Sequence, residues 1–171
     1  MAAVCIQVIN PNTSLAMTET IGAAARAVAA PGTEILAVCP REGVPSIEGH
    51  FDEAIAAVGV LEQIKAGRQQ GVDGHVIACF GDPGLLAARE LAQGPVVGIA
   101  EAAMHMATLV ATRFSIVTTL PRTLISPVIC CTSMVFMTTA QPCTPLIYRC
   151  WRWRTAAVWR RRRCARAVFR R

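Results

Sequence analysis

The chain has 171 residues, 53% of them hydrophobic, and a formal net charge of +6. The length suffices for one ordinary domain with a core, and the hydrophobic content excludes a chain that is disordered throughout. A uniformly basic fold is also excluded, because residues 1–122 hold all eleven acidic and only seven basic residues, whereas residues 123–171 hold ten arginines and no acid.

Short apolar runs alternate with helix-period segments over residues 1–122, which is typical of a parallel sheet flanked by helices. We therefore predict an α/β fold. The predicted strands lie near Val4–Ile9, Thr33–Cys39, Gly74–Cys79, Val96–Ile99 and Phe114–Thr118. The predicted helices begin near Ser14 and near Gly84, or cover His50–Lys65 and Glu101–Val110.

The helix from His50 to about Lys65 has the clearest pattern. Its apolar positions recur at helical spacing and predict one stripe that packs on the sheet. That stripe consists of Phe51, Ile55, Val58, Leu61 and Ile64, while Asp52, Glu53, Glu62 and Lys65 are expected to face water. In the last helix, Met104 and Met106 are expected to fill the core rather than to bind a ligand.

Ligands of open α/β sheets bind beyond the carboxyl ends of the strands, where turns and helix N-termini present free donors. The first such end is Asn10–Ser14, whose amides and hydroxyls can bind a polar ligand or cap the next helix. For Thr13 and Ser14 both alternatives stay open. A third strand end carries Thr118 and Thr119.

The second strand end carries Cys79, which an apolar run leads into a turn with two glycines, Gly81 and Gly84. Such a turn lets the backbone approach a ligand closely. Turn amides lower the pKa of a thiol, so we expect a thiolate here that can remove a proton from a weak carbon acid. Cys5 and Cys39 lack such a turn and are interpreted as structural.

The cysteines form no CxxC pair, so neither a zinc site nor a disulfide framework is predicted. Met1–Ala3 lacks the basic start of a signal peptide and leads directly into a strand. We therefore expect a cytoplasmic protein with no metal ion and no membrane attachment.

Residues 126–171 differ in composition from the rest and are predicted to be irregular or disordered. Five of the eight cysteines and all three tryptophans lie in residues 123–171, beside arginine as the only basic residue. A GC-rich gene read in the wrong frame yields this mixture, and acidic residues return when codons compatible with Tyr148–Ala157 are read from the third base. We interpret this tail as out of frame, without a native fold.

Two other interpretations of the tail stay open. Arg160–Arg163 with neighbouring tryptophan could contact nucleic acid, although only the tail is basic and we do not expect nucleic acid as the partner. The uncharged stretch between Arg122 and Arg149 could form a membrane span. Its prolines and polar residues argue against that.

Five motifs in order resemble the hydantoin and allantoin racemases of the aspartate/glutamate racemase superfamily, over residues 3 to about 125. They are Ile9–Ser14, Ser46–Gly49, Ala78–Gly84, Gly98–Ala102 and Val117–Thr119. The resemblance implies a racemase without cofactor, whose two similar α/β lobes enclose the active site, and residues 1–125 would be the first lobe. Each lobe would supply one cysteine; one removes a proton from the stereocentre and the other donates a proton from the opposite face.

The resemblance also assigns roles to residues of this chain. Cys79 matches the catalytic cysteine of the first lobe, and the polar loops that would hold a hydantoin-type substrate match Asn10, Asn12, Thr13, Gly81, Thr118 and Thr119. Intact relatives are expected to be homo-oligomers. The Gly-Cys-Gly type motif of the second lobe is missing, so we expect no useful racemase activity and leave open a fragment that binds small molecules or nucleic acid without turnover.

Overall fold

The structure is a computed structural model that describes residues 4–111, 113–117, 138–144 and 147–152. The strands are β1 (Val4–Ile9), β2 (Thr33–Val38), β3 (Gly74–Ile77), β4 (Val96–Gly98), β5 (Arg113–Val117), β6 (Thr138–Thr144) and β7 (Ile147–Arg152). The helices are α1 (Leu15–Val28), α2 (His50–Gln69), α3 (Leu85–Leu91) and α4 (Ile99–Val110). Within these residues, no helix is both long and apolar enough to cross a bilayer.

The first four strands form one parallel sheet in the order β2-β1-β3-β4, which confirms the predicted α/β class. Val4 pairs with Thr33 and Ile9 pairs with Ile77, so all strands end at the same edge. Parallel neighbours need crossover connections, and the helices provide them. β3 ends at Ile77, two residues earlier than predicted, which places Cys79 in the turn beyond the strand.

The core lies between this sheet and the helices α2 and α3. Its buried cluster consists of Ile9, Val60, Ile64, Ile77, Leu85, Ala88 and Val96. Met104 is buried as predicted, but Met106 is 58% exposed. Residues two apart on a helix point in different directions, so both methionines could not face the core. The prediction was therefore wrong for Met106.

The predicted apolar stripe of α2 was correct only in part: Ile64 is buried and Leu61 packs against the core cluster, but the other members are exposed. Phe51 is 77% exposed and Val58 57% exposed, whereas the buried positions are Ala56, Gly59, Val60, Ile64 and Gly67. The reason is close packing through small residues. A Cβ on Gly67 would lie 2.6 Å from Gln7 Oε1, and one on Gly59 would lie 2.9 Å from the Pro40 side chain. Of the predicted acidic exposed face, Glu53 is partly buried, with 22% of its side chain exposed.

A buried polar pair lies under the same helix. Gln7 and His75 face each other on paired strands, and His75 Nδ1 lies 2.8 Å from Gln7 Oε1. Gln7 Nε2 donates to the Gln63 carbonyl at 3.1 Å. Both side chains are thus satisfied inside the core. Burial lowers the pKa of His75, so the imidazole is neutral at neutral pH.

The strand predicted near residue 114 does not join the parallel sheet. β5 pairs with β7 in a separate antiparallel sheet of order β5-β7-β6. The tail, predicted to be irregular or disordered, therefore contributes two strands, residues 138–144 and 147–152. β-branched and aromatic residues in these segments favour extended backbone, a local preference that the composition of the whole tail does not report.

Candidate active site

The candidate site lies where the strand order reverses. The chain passes from β1 to β2 on one side of β1 and later returns to β3 on the other side of β1. The loops after β1 and β3 therefore start side by side and run in opposite directions. A crevice at such a switch point is the usual ligand site of an open α/β sheet. The Ala78 amide donates to the Ile9 carbonyl at 2.8 Å, which continues the ladder to the edge. The loops that begin at Asn10 and at Cys79 are therefore neighbours.

The Cys79 loop is a tight turn. The Asp82 amide donates to the Cys79 carbonyl at 3.1 Å, and the Leu85 amide donates to the Asp82 carbonyl at 3.1 Å. Gly84 has a φ of +73°, a conformation that favours glycine. This geometry turns the chain from β3 into α3 within a few residues.

Helix α2 confines this turn from one side. A Cβ on Gly81 would collide with the Glu53 carboxylate, and one on Gly84 would lie 3.2 Å from Ala57 Cβ. His50 Nδ1 lies 2.9 Å from Glu53 Oε2. Gly81, predicted to contact substrate, thus has a second reason to be glycine, because it admits Glu53 next to the turn.

The α4 N-terminus confines the turn from another side. Asp82 Oδ2 accepts from the Glu101 amide at 2.8 Å, and Asp82 Oδ1 accepts from the Ala100 amide at 3.1 Å. Glu101 also pairs with Arg89. The sequence places Asp82 in the turn after Cys79 and predicts Glu53 to face water, but assigns a site role to neither. A polar residue beside Pro83 indicated a turn, but the partners of both carboxylates depend on the tertiary structure.

The Cys79 thiol has a raised pKa, contrary to the expectation of a lowered one. Burial is the largest cause; the Gly81 amide opposes it, the charges of Asp82 and Glu53 add to it, and the Phe80 amide opposes it. The turn amides therefore act in the expected direction but are outweighed by burial. At neutral pH Cys79 is a protonated thiol in this structure.

The loop after β1 is built largely by its own asparagines. Asn10 is 1% exposed, and its amide nitrogen donates to Asn12 Oδ1 at 2.8 Å and to Thr18 Oγ1 at 3.0 Å. Asn12 Oδ1 also accepts from the Ser14 amide at 2.9 Å. Ser14 caps α1 by accepting from the Met17 amide at 3.3 Å. The capping alternative is thus confirmed for Ser14.

Thr13 does not cap the helix. Its amide donates to the Val44 carbonyl at 3.0 Å, and its hydroxyl lies 3.4 Å from the same oxygen. The structure therefore brings Asn10, Asn12, Thr13, Cys79 and Gly81 to one edge of the sheet. Thr118 and Thr119 lie outside the described residues. Substrate contact by any of these residues stays a prediction.

Among the described residues, no group of three or more His, Cys, Asp or Glu side chains could hold a metal ion. A shallow cavity of about 350 Å³ lies elsewhere, between α2 and α3, and is lined by Leu61, Lys65, Ala87, Glu90 and Leu91. It is not at the strand ends and includes neither Cys79 nor the Asn10 loop.

The profile of the Asp/Glu/hydantoin racemase family matches residues 6–129. A hydantoin racemase of Pseudomonas sp. strain NS671 is 56% identical over 117 residues, which cover 68% of this chain and 47% of that protein. A hydantoin racemase of Paenarthrobacter aurescens is 54% identical over 118 residues. The chain spans about half the length of the curated relatives it matches.

Two solved structures are similar over the same share of the chain. The allantoin racemase from Klebsiella pneumoniae has 93% sequence identity and a TM-score of 0.71, over 72% of this chain and 51% of that one. The allantoin racemase from Pseudomonas fluorescens has 41% identity and a TM-score of 0.70, over 72% of this chain and 52% of that one.

Proposed function

Because the chain belongs to the Asp/Glu/hydantoin racemase family, we propose that it carries the first half of a racemase site for 5-substituted hydantoins. The observation that carries this proposal is the Cys79 turn at the β1/β3 switch point, where α2 and the α4 N-terminus hold a thiol at the usual ligand edge. The stereocentre of a hydantoin lies next to a carbonyl, so its hydrogen is weakly acidic and within the range of general acid/base catalysis.

Allantoin is the hydantoin that we propose as substrate. The allantoin racemase from Klebsiella pneumoniae is 93% identical over the shared segment, against 56% for the hydantoin racemase of Pseudomonas sp.. The ureido group of allantoin is polar, and the loop after β1 is rich in amides and hydroxyls. Asn12, Thr13 and Gly81 would hold the carbonyl and ring-nitrogen groups.

The proposed reaction is a proton exchange without net oxidation. A thiolate removes a proton from the stereocentre. The electron pair of the broken C–H bond stays on the ring and is delocalised onto the adjacent carbonyl oxygen. Backbone and hydroxyl donors stabilise that charge. A thiol on the opposite face then returns a proton to the same carbon. Cys79 is protonated at neutral pH, which suits the donating role first, and a second cysteine must supply the opposite face.

We further propose that this chain lacks that second cysteine. No glycine follows Gly98, so none of the tail cysteines lies in a Gly-Cys-Gly setting. The family match ends at residue 129, and the segment that is 93% identical covers only 72% of the chain, which supports the out-of-frame interpretation of the tail. Loss of one general acid or base typically lowers a rate by about 10² to 10⁴, so the printed chain would have no useful racemase activity.

A fragment that binds a hydantoin without turnover is the alternative, and one specific feature favours it: the Asn10 and Cys79 loops lie together at one strand-end edge, whereas no tail cysteine lies between glycines. Binding of nucleic acid would instead depend on the tail arginines. In that case binding would weaken steeply with salt and would disappear with residues 126–171.

Protection of Cys79 from alkylation tests the proposed site. The purified chain is treated with iodoacetamide with and without excess allantoin, and each cysteine is followed by peptide mass spectrometry. We expect allantoin to slow alkylation of Cys79 and to leave Cys5 and Cys39 unchanged, because only Cys79 lies at the switch point. The proposal is wrong if allantoin protects none of the three, or all three equally.

A further inference from the structure

Asp82 connects the Cys79 turn to helix α4. This residue is only 8% exposed, and its two carboxylate oxygens accept hydrogen bonds from the Ala100 and Glu101 amides. Its own amide donates to the Cys79 carbonyl at 3.1 Å. One residue therefore closes the turn with its backbone and fastens the turn to the next helix with its side chain.

The backbone around Asp82 is organised for this contact. Asp82 has a φ of +46° and is the one non-glycine residue with positive φ within the described part of the chain. Such a conformation is uncommon in residues other than glycine and persists when its surroundings stabilise it. A Cβ on Gly98 would collide with the Asp82 carboxylate, so glycine at 98 gives the carboxylate access to the α4 amides.

The charges near Asp82 are compatible with a fixed carboxylate. The first amides of a helix have no acceptor within the helix, and they favour a negative group at its N-terminus. The pKa of Asp82 is raised overall: burial is the largest cause and the Glu101 charge adds to it, while hydrogen bonds from the Glu101 and Ala100 amides and the Arg89 charge oppose it. Arg89 pairs with Glu101, and its positive charge opposes the effect of the Glu101 charge on Asp82.

We propose that Asp82 is a positioning residue: its carboxylate holds the Cys79 turn to the N-terminus of α4 and so fixes the sulfur at the strand-end site. The importance of this for racemisation rests on the proposed function. The positioning of Cys79 itself does not, and it can be measured without a hydantoin.

The test is the rate of iodoacetamide alkylation of Cys79 in the full chain, measured by peptide mass spectrometry from neutral to alkaline pH. Asp82→Gly retains the positive φ but removes the carboxylate. We expect a several-fold higher plateau rate at alkaline pH, because the turn opens locally. We also expect a lower pH midpoint. Two charges, Asp82 and Glu53, raise the Cys79 pKa, and only Glu53 remains in this variant. Asp82→Asn retains one acceptor oxygen, and we expect an intermediate plateau.

Asp73 provides a matched control. Its Oδ2 accepts from the Cys5 amide at 2.8 Å, so it is also a carboxylate that holds the backbone of a cysteine. Asp73→Ala should change the alkylation of Cys5 and leave Cys79 at the wild-type rate. Asp82→Gly should do the reverse.

An unchanged Cys79 plateau in Asp82→Gly would overturn the proposal. If Asp82→Gly instead raises the alkylation rates of Cys5, Cys39 and Cys79 together, Gly98→Ala decides, because its Cβ displaces the Asp82 carboxylate while every residue of the turn is kept. A rise confined to Cys79 in that variant supports the proposal, and no rise or a general rise overturns it. None of these outcomes depends on whether the chain binds allantoin.

Discussion

At the scale of single residues, the Cys79 thiol shows two opposing influences. Amides of Gly81 and Phe80 lower its pKa, while burial and the charges of Asp82 and Glu53 raise it. A raised pKa keeps the thiol protonated at neutral pH and makes the thiolate, once formed, a stronger base toward a weak carbon acid. The position of this residue could be predicted from sequence. The sign of its pKa shift could not, because burial depends on how α2 and α4 pack around the turn.

The buried Gln7–His75 pair gives a pH prediction at the same scale. The pKa of His75 is lower in the folded chain than in the unfolded one. Stability from the neutral imidazole is therefore complete above the unfolded pKa, about 6.5, and is lost as pH falls through the folded pKa. We expect the free energy of unfolding to decrease as pH falls below about 6.5.

Urea unfolding at several pH values measures this effect. His75→Gln should remove the His75 contribution to the pH dependence, while the matched control His105→Gln should retain it. His75→Leu should cost about 1–3 kcal/mol near neutral pH, because Gln7 Oε1 is left buried without its partner. Equal pH dependence in the wild type and in His75→Gln would contradict this account.

At the scale of elements, the four parallel strands and their helices could be predicted because apolar runs and helical periodicity are local properties. The buried face of α2 could be predicted only in part from large apolar residues, because Ile64 is buried but Phe51 and Val58 are exposed. Gly59 and Gly67 permit close approach to Pro40 and to Gln7, so the small residues define the packed face. β5 was missed as a member of a second sheet, because strand pairing depends on partners distant in sequence.

Two valines on α2 test this packing directly. Val60 is fully buried and Val58 is 57% exposed, although the sequence pattern predicts Val58 in the core. We expect Val60→Ala to lower the free energy of unfolding by about 1–3 kcal/mol. Val58→Ala, the same substitution on the same helix, should change it by less than about 0.5 kcal/mol. Urea denaturation followed by circular dichroism gives both values, and a larger loss for Val58→Ala would contradict the structure.

At the scale of the whole molecule, the chain combines a family segment with a tail of different composition. The family match covers residues 6–129, and the described part of the tail is limited to two strands. The family and the position of Cys79 follow from short motifs that are contiguous in sequence. The partner cysteine could not be located in the same way, because the proposed mechanism takes it from a second lobe.

The central claim is that Cys79 is one half of a two-cysteine racemase site, and polarimetry of a single allantoin enantiomer tests it most directly. This chain is compared with the protein that is encoded when the reading frame is shifted by one base after about codon 125. The Cys79→Ser variant of that frame-shifted protein is measured as well. We predict no racemisation by this chain and measurable racemisation by the frame-shifted protein. Cys79→Ser should lower the racemisation rate of the frame-shifted protein by a factor of about 10² to 10⁴. Equal rates for the frame-shifted protein and its Cys79→Ser variant, or racemisation by this chain, would contradict the claim.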